Sequence, residues 1–399
     1  MEGKKMKNYD KIIIYLIMIA IFSLFLETKI YIPLFLLITL MCLPYFKQVN
    51  RWQIYLLFFL LYGGLLNIFY FNNFEINLYI KFIVNLSFLL VVPNFIEKVK
   101  IDSKFNNQFK LCLELIIILS FIQIMYVYIS QNISLSYFLN IENSIDAYAI
   151  SRGADPIFGH SNKNIWASKL FLVQLLYFNF ILNDKIKTRE FLILSIFVIN
   201  IMLLLSRTAQ MAMIIPFIYI FYKKIYKKNN YIKFFVLCLI PILLFGFIEV
   251  VTDVILRIGD PSTDGGASRL FLWKAFFEHF NETHYIVGNG MYSSYNFLMQ
   301  YVPHYLVNTN MHNFIINIAM ETGIIGVCIY ISFLFGLFRK LMSGLRGYKV
   351  EFCIVFILPL VLIMSLQYLG YDNDIVVYLV LLFLVKKSWV QDFDVKHKL

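Results

Sequence analysis

The chain of 399 residues is 60% hydrophobic and 15% charged, with a formal net charge of +11 at pH 7. Ordinary globular domains are about half apolar and a quarter charged, so this composition excludes a soluble domain and points to a membrane protein. The basic residues sit in short clusters between apolar runs and form no stripe with interleaved aromatics, which argues against nucleic acid as a partner and for a topology signal.

The N-terminal stretch "MEGKKMKNYDKIIIYLIMIAIFSLFL" has lysines before an apolar core, as a signal peptide does. No small-residue cleavage site follows, so it reads as a retained first span. Further runs, each roughly 20 residues or somewhat shorter for about 30 Å of hydrocarbon, begin near Ile30, Trp52, Leu78, Phe109, Ile165, Phe191, Thr208, Tyr231, Asn313, Val350 and Asp374. With the first near Ile12, the sequence predicts an all-α polytopic membrane protein of about twelve spans, with residues 1–399 forming one integral membrane domain. Five cysteines, Cys42, Cys112, Cys238, Cys328 and Cys353, fall inside apolar runs without CxxC spacing, arguing against a disulfide framework or a thiolate metal site.

The seventh and eighth runs form one apolar stretch, "FLILSIFVINIMLLLSRTAQMAMIIPFIYIFY", interrupted only by Ser206, Arg207 and Thr208. A turn there puts about 26 of the 35 Lys and Arg residues on the cytoplasmic side and about 9 outside, as the positive-inside rule expects. A single long span would remove the bias, at roughly 16 against 18. The sequence therefore predicts a turn at Arg207 and both termini in the cytoplasm. Two long loops, residues 131–164 and residues 251–312, then face outward, the second being large, helical and placed between the ninth and tenth spans.

The second loop carries "GDPSTDGGASRLFLWKAFFEHF". Gly265 and Gly266 break structure, Ser268 can cap, and Leu270, Phe271, Trp273, Phe276, Phe277 and Phe280 recur at helical spacing. Arg269 would then open a helix, where a cation opposes the dipole unless an anion lies between them; arginine plus free backbone amides suits phosphate. The bland reading is a surface arginine at a frayed helix end. Arg207, flanked by apolar residues, must reach an interface or a polar cavity, which makes it either a snorkelling arginine or a second anion contact on the same face.

His312 opens the tenth span, and with an ordinary pKa near 6.5 it can accept or orient a hydroxyl proton; a helix cap is the bland alternative. Glu321, nine residues on, lies roughly 180° around the helix and reads, with Gly323 and Gly326, as a deep helix contact. In the first external loop, Arg152, His160, Asn162, Lys163 and Asn164 suit contacts to sugar or phosphate, or simply a solvated loop. His279 and His284 with Asp260 and Asp264 lack metal-ligand spacing. Tyr285, Tyr292, Tyr295, Tyr301 and Tyr305 suit sugar stacking or an interfacial aromatic belt.

The twelve spans, the large external loop before the tenth, and the motifs "NKNIWA", "LLLSRTA", "SRLFLWKAF", "IVGNGMYSS" and "MHNFIINIAMETGIIG" together resemble the bacterial O-antigen polymerase and O-antigen ligase superfamily. The resemblance covers most of residues 161–338; the first five spans match only in hydropathy. It implies a GT-C-like glycosyltransferase in the bacterial inner membrane. The donor would be an oligosaccharide on undecaprenyl diphosphate at the outer face, with no nucleotide sugar, metal or other cofactor.

Carried over by motif, Arg207 and Arg269 would hold the diphosphate and His312 would activate the acceptor hydroxyl. Asn313 and Glu321 occupy accompanying positions, and Asn162, Asn164, Arg152 and Trp273 are further substrate-binding candidates. A chain-length regulator and a flippase are the partners such an enzyme would have. A polymerase of lipopolysaccharide or capsule chains is the leading reading and a ligase to lipid A core its nearest rival. A glycan flippase or solute transporter is more remote, because the long loops are lopsided, no internal repeat is visible and the conspicuous charges gather at one face.

Overall fold

The computed structural model describes residues 8–26, 28–70, 76–101, 103–131, 157–183, 187–204, 206–220, 222–223, 265–304, 310–345 and 347–396. Regular structure among them is helical, with a single antiparallel bridge between Leu26 and Phe158. The helices are α1 Asn8–Ser23, α2 Tyr31–Cys42, α3 Arg51–Phe69, α4 Ile76–Lys98, α5 Ser103–Ser130, α6 Lys163–Asn183, α7 Thr188–Leu203 and α8 Arg207–Ile220. Then follow α9 Gly265–His279, α10 Ser294–Tyr301, α11 Phe314–Met342, α12 Lys349–Leu366, which contains a π-helical turn at Cys353–Ile357, and α13 Asn373–Lys396.

A helix stands at each expected span except the one near Tyr231, which lies outside the described residues. Six of them, α3, α4, α5, α6, α11 and α12, are long and apolar enough to cross a membrane, and α2 and α8 belong to shorter apolar helices. The protein is a multi-pass membrane protein. The expected break falls where the sequence placed it: α7 ends at Leu203 and α8 begins at Arg207.

Helix α6 is central, with 94% of its apolar stretch buried, and α13 is buried along residues 375–385, whereas α3, α4, α5, α11 and α12 keep about half of theirs at the periphery. Around it α5 packs on α7, α13 on α4 and α6, α11 on α3, and α8 on α12. The last pairing matters most, because it sets the first turn of α8 beside the end of α12. A second, smaller core of Leu272, Phe276, Leu298, Met311, Ile316 and Met320 ties α9 and α10 to the start of α11. The burial face of α9 thus differs from the expected one: Leu270 is 63% and Phe277 71% exposed, while Leu272, Ala275 and Phe276 turn inward.

Helix α11 is broken at Gly323, whose φ of 63° is left-handed. A break inside a span frees backbone groups that hydrocarbon cannot satisfy. Here the "YIVGNG" segment supplies them: Ile324 N donates to Tyr285 O at 2.9 Å and Ile325 N to Ile286 O at 3.2 Å. In the other direction Asn289 N and Gly290 N donate to Glu321 O, and the Asn289 side chain donates to Met320 O. The approach requires glycine on both sides, since a Cβ on Gly323 would lie 2.3 Å from Ile286 O and one on Gly288 2.4 Å from Glu321 O. The deep helix contact expected at Glu321 and Gly323 is instead made with the loop of residues 285–290. From α3, Tyr62 donates to Val287 O and Asn67 accepts from Met291 N, fixing the inserted loop from behind.

Candidate functional site

At the start of α8 the Ser206 carbonyl accepts from Gln210 N, so the first amides of the helix sit at residues 207–209. The backbone of Arg207 opens this helix; its side chain lies outside the described residues, as does Arg152. Thr208, 4% exposed, follows it. Across from this end, α12 stops at Leu366 and Gln367 forms its C-cap.

Arg269 joins the two ends. Its Nη1 donates to Thr208 Oγ1 at 3.1 Å and its Nη2 to Gln367 Oε1 at 3.0 Å. The sequence placed Arg269 and Ser268 at the opening of their own helix, but α9 already begins at Gly265, so Ser268 is inside it and not its cap. The guanidinium reaches instead to the positive end of α8, a placement that favours an anion between them. The nearby C-terminal end of α12 has the opposite polarity and suits a cation.

His312 meets the same residue. Its ring hydrogen-bonds the backbone carbonyl of Gln367, one of the carbonyls that the end of α12 leaves without a helical partner. That bond makes one ring nitrogen the donor and the other the acceptor. Burial, and then the Arg269 charge, push the imidazole down to about 3, so it is neutral at any physiological pH. The ordinary value expected from sequence is thereby corrected, because burial, and then the positive neighbour that suits an anion, disfavour imidazolium. The cap of α11 is Asn313 and not His312, whose ring instead meets the end of α12 beside the Arg269 cation.

The loop is held in a costly backbone shape. His312 has φ 52°, a left-handed conformation worth roughly 1–2 kcal/mol for a non-glycine residue. Its N–H donates to Asn310 Oδ1 at 2.8 Å. Asn313 caps α11, its side chain accepting from Ile315 N at 3.0 Å and Ile316 N at 3.1 Å. Trp273 donates from Nε1 to Met311 O at 2.8 Å, so α9 carries both Arg269 and the tie that holds the residue before His312.

Glu321 sits about 10 Å further along α11 at 1.5 Å per residue. It is 1% exposed; its carboxyl group accepts from the Tyr371 hydroxyl and the Tyr292 amide. Tyr292, at φ 65°, meets the Tyr371 ring edge-to-face at 5.7 Å between centroids. Glu321 thus fastens the inserted loop to the segment that carries Gln367. Asn162 caps α6, accepting from Asn164 N at 2.9 Å and Ile165 N at 3.3 Å, and its own N–H donates to His160 Nδ1. Burial and the positive Lys169 hold His160 down at about 4. Tyr301 stacks on His279 at 4.3 Å, and Tyr305 lies outside the described residues.

The arrangement brings Arg269, His312 and the start of α8 together around Thr208 and Gln367. Sequence reasoning missed those last two. Thr208 was visible in "SRTA", directly after an arginine that had to find polar company. Gln367 was visible as an amide closing the apolar run "LVLIMSLQ".

Residues 192–331 match the family model described as O-antigen ligase. The match is consistent with the O-antigen polymerase and ligase superfamily. The matched segment contains α8, α9 and most of α11, and so Arg207, Thr208, Arg269 and His312; Gln367 falls beyond it. Members of this superfamily are glycosyltransferase-like enzymes. Among curated proteins, none matches the chain.

Proposed function

We propose that the chain is a polysaccharide polymerase of the bacterial inner membrane, a GT-C-like enzyme of about twelve spans with both termini in the cytoplasm. It transfers a growing glycan from undecaprenyl diphosphate to a hydroxyl of a lipid-linked repeat unit at the outer face. The acceptor oxygen attacks the anomeric carbon, and the bond from that carbon to the diphosphate oxygen breaks. The hydroxyl proton passes to the His312 nitrogen that is not bonded to Gln367, and from there to solvent. Negative charge growing on the departing lipid diphosphate is met by Arg269, by the first amides of α8 and by Arg207.

The observation that carries this reading is the guanidinium of Arg269 held at the N-terminal end of α8, with a neutral, oriented imidazole on the same Gln367. Approach of the diphosphate offsets the Arg269 charge that depresses His312, so donor binding raises the basicity of the imidazole at the moment it is needed. Neither step calls for a metal or a nucleotide sugar. Arg152, Asn162, Asn164 and Trp273 are the candidates for contacts to the glycan, whereas Asn313 caps α11 and the buried Glu321 holds the inserted loop.

A ligase that moves the finished chain to lipid A core is the second reading, favoured by the description of the matching family model. Purified protein given lipid-diphosphate repeat units alone separates the two. A ladder of products of increasing length is expected for the polymerase; a ligase reacts only when lipid A core is added. No transfer under either condition overturns the glycosyltransferase reading.

A further inference from the structure

Gln367 is 5% exposed and lies between the two groups on which the proposed chemistry depends. Its side-chain oxygen accepts from Arg269 Nη2 and its backbone oxygen accepts from the His312 ring. The two bonds leave one residue by different routes, so they can be separated by mutation: a substitution removes the arm to Arg269 and leaves the carbonyl to His312 in place.

The chemistry of the acceptor matters as much as its position. Thr208 and Gln367 both offer Arg269 a neutral oxygen. A carboxylate at 367 would orient the guanidinium equally well, and would form an ion pair that an incoming diphosphate has to displace. A neutral amide aims the fork without itself pairing with its charge. Arginine is suited to such a site because its planar donors are directional, so two neutral anchors fix the plane in which a phosphate is met.

We propose that Gln367 is a positioning residue for diphosphate recognition, a charge-neutral anchor that sets the Arg269 guanidinium toward the anion and ties it through one backbone carbonyl to His312. It acts through Arg269 and not on the substrate itself. The inference rests on the diphosphate reading of Arg269.

The test uses inorganic diphosphate as the probe, its binding to full-length protein in detergent or nanodiscs being measured by calorimetry for wild type, Arg269→Ala, Gln367→Glu, Gln367→Met and the double variants. Wild type binds and Arg269→Ala loses binding. Gln367→Glu weakens it at least about tenfold, the worth of one charge-assisted hydrogen bond. Gln367→Met, close in shape and without an acceptor, weakens it about threefold to tenfold. The double variants show no binding, like Arg269→Ala alone; the informative contrast is that Gln367→Glu, nearest in shape to the native side chain, costs more than Gln367→Met, an order that a general packing role would not produce. Thermal unfolding of each variant selects folded protein, and Gln367→Met carries the test if Gln367→Glu does not fold. If wild type binds, Arg269→Ala does not, and both Gln367 variants bind as wild type, this inference is overturned while the anion site stands. If wild type does not bind, or Arg269→Ala binds equally well, the site reading fails and this inference with it.

Discussion

Gly323→Ala is the substitution whose consequence follows most directly from the fold. An alanine there must hold φ near 63° with ψ near −171°, a region essentially confined to glycine, at about 1–3 kcal/mol. Its Cβ would meet Ile286 O at 2.3 Å, Ile286 C at 2.5 Å and Gly288 N at 2.6 Å, all backbone atoms with no rotamer by which to retreat. The loop must therefore lift by about 1 Å to restore ordinary contact distances. Lifting it stretches the bonds from Ile324 N to Tyr285 O and from Ile325 N to Ile286 O, each worth about 1 kcal/mol and more when a buried group is left without a partner.

The sum is about 3–5 kcal/mol of destabilisation. Gly344→Ala is the internal control: its φ is 84° and nothing lies within 4 Å of its missing Cβ, so only the conformational term of about 1 kcal/mol applies. Thermal unfolding of the two variants in the same detergent should place Gly323→Ala well below Gly344→Ala, with wild type above both. Equal midpoints for the two variants would refute the claim that the inserted loop mends the broken helix.

Two further outcomes follow from the site. Asn313→Ala removes the cap of α11 and should lower stability by about 1 kcal/mol, with activity per folded molecule retained; normal stability with lost activity would instead make Asn313 a substrate ligand. For pH, the depressed imidazole keeps its basic form above the folded value and loses it only as pH falls through about 3. The acid limb of kcat/KM assigned to His312, by comparison with a His312→Gln variant, should therefore lie below about pH 4, with the limb of kcat higher because bound diphosphate offsets Arg269. A kcat/KM limb at the ordinary histidine value, near 6.5, contradicts the burial argument.

Much of the architecture was legible because hydrocarbon demands long apolar runs, and lysine and arginine clusters punctuate them. The break at Ser206 was readable for the same reason: an arginine flanked by apolar residues has to stand where polar groups can reach it. Arg269 and His312 were legible as residue types in suggestive places, but not in their connection. The link runs through Gln367, which belongs to a different helix and lies some 50 to 100 positions away in the chain, and nothing in periodicity joins them. The function of "IVGNG" was hidden likewise: a glycine pair reads locally as a turn, and only the facing break at Gly323 explains why backbone must approach backbone there. The outward face of α9 misled because its apolar residues surround the helix, so spacing alone could not choose which side packs.

The account depends on Arg269 and His312 serving one reaction from one pocket. The direct measurement is release of undecaprenyl diphosphate from a glycan-charged donor by purified protein, compared for wild type, Arg269→Ala and His312→Ala, each shown to be folded by its thermal transition. Wild type should release it as glycan is transferred, both single variants should fall by at least about a hundredfold, and the double variant should fall little further because the two act as a unit. Release at the wild-type rate by either folded variant would contradict it.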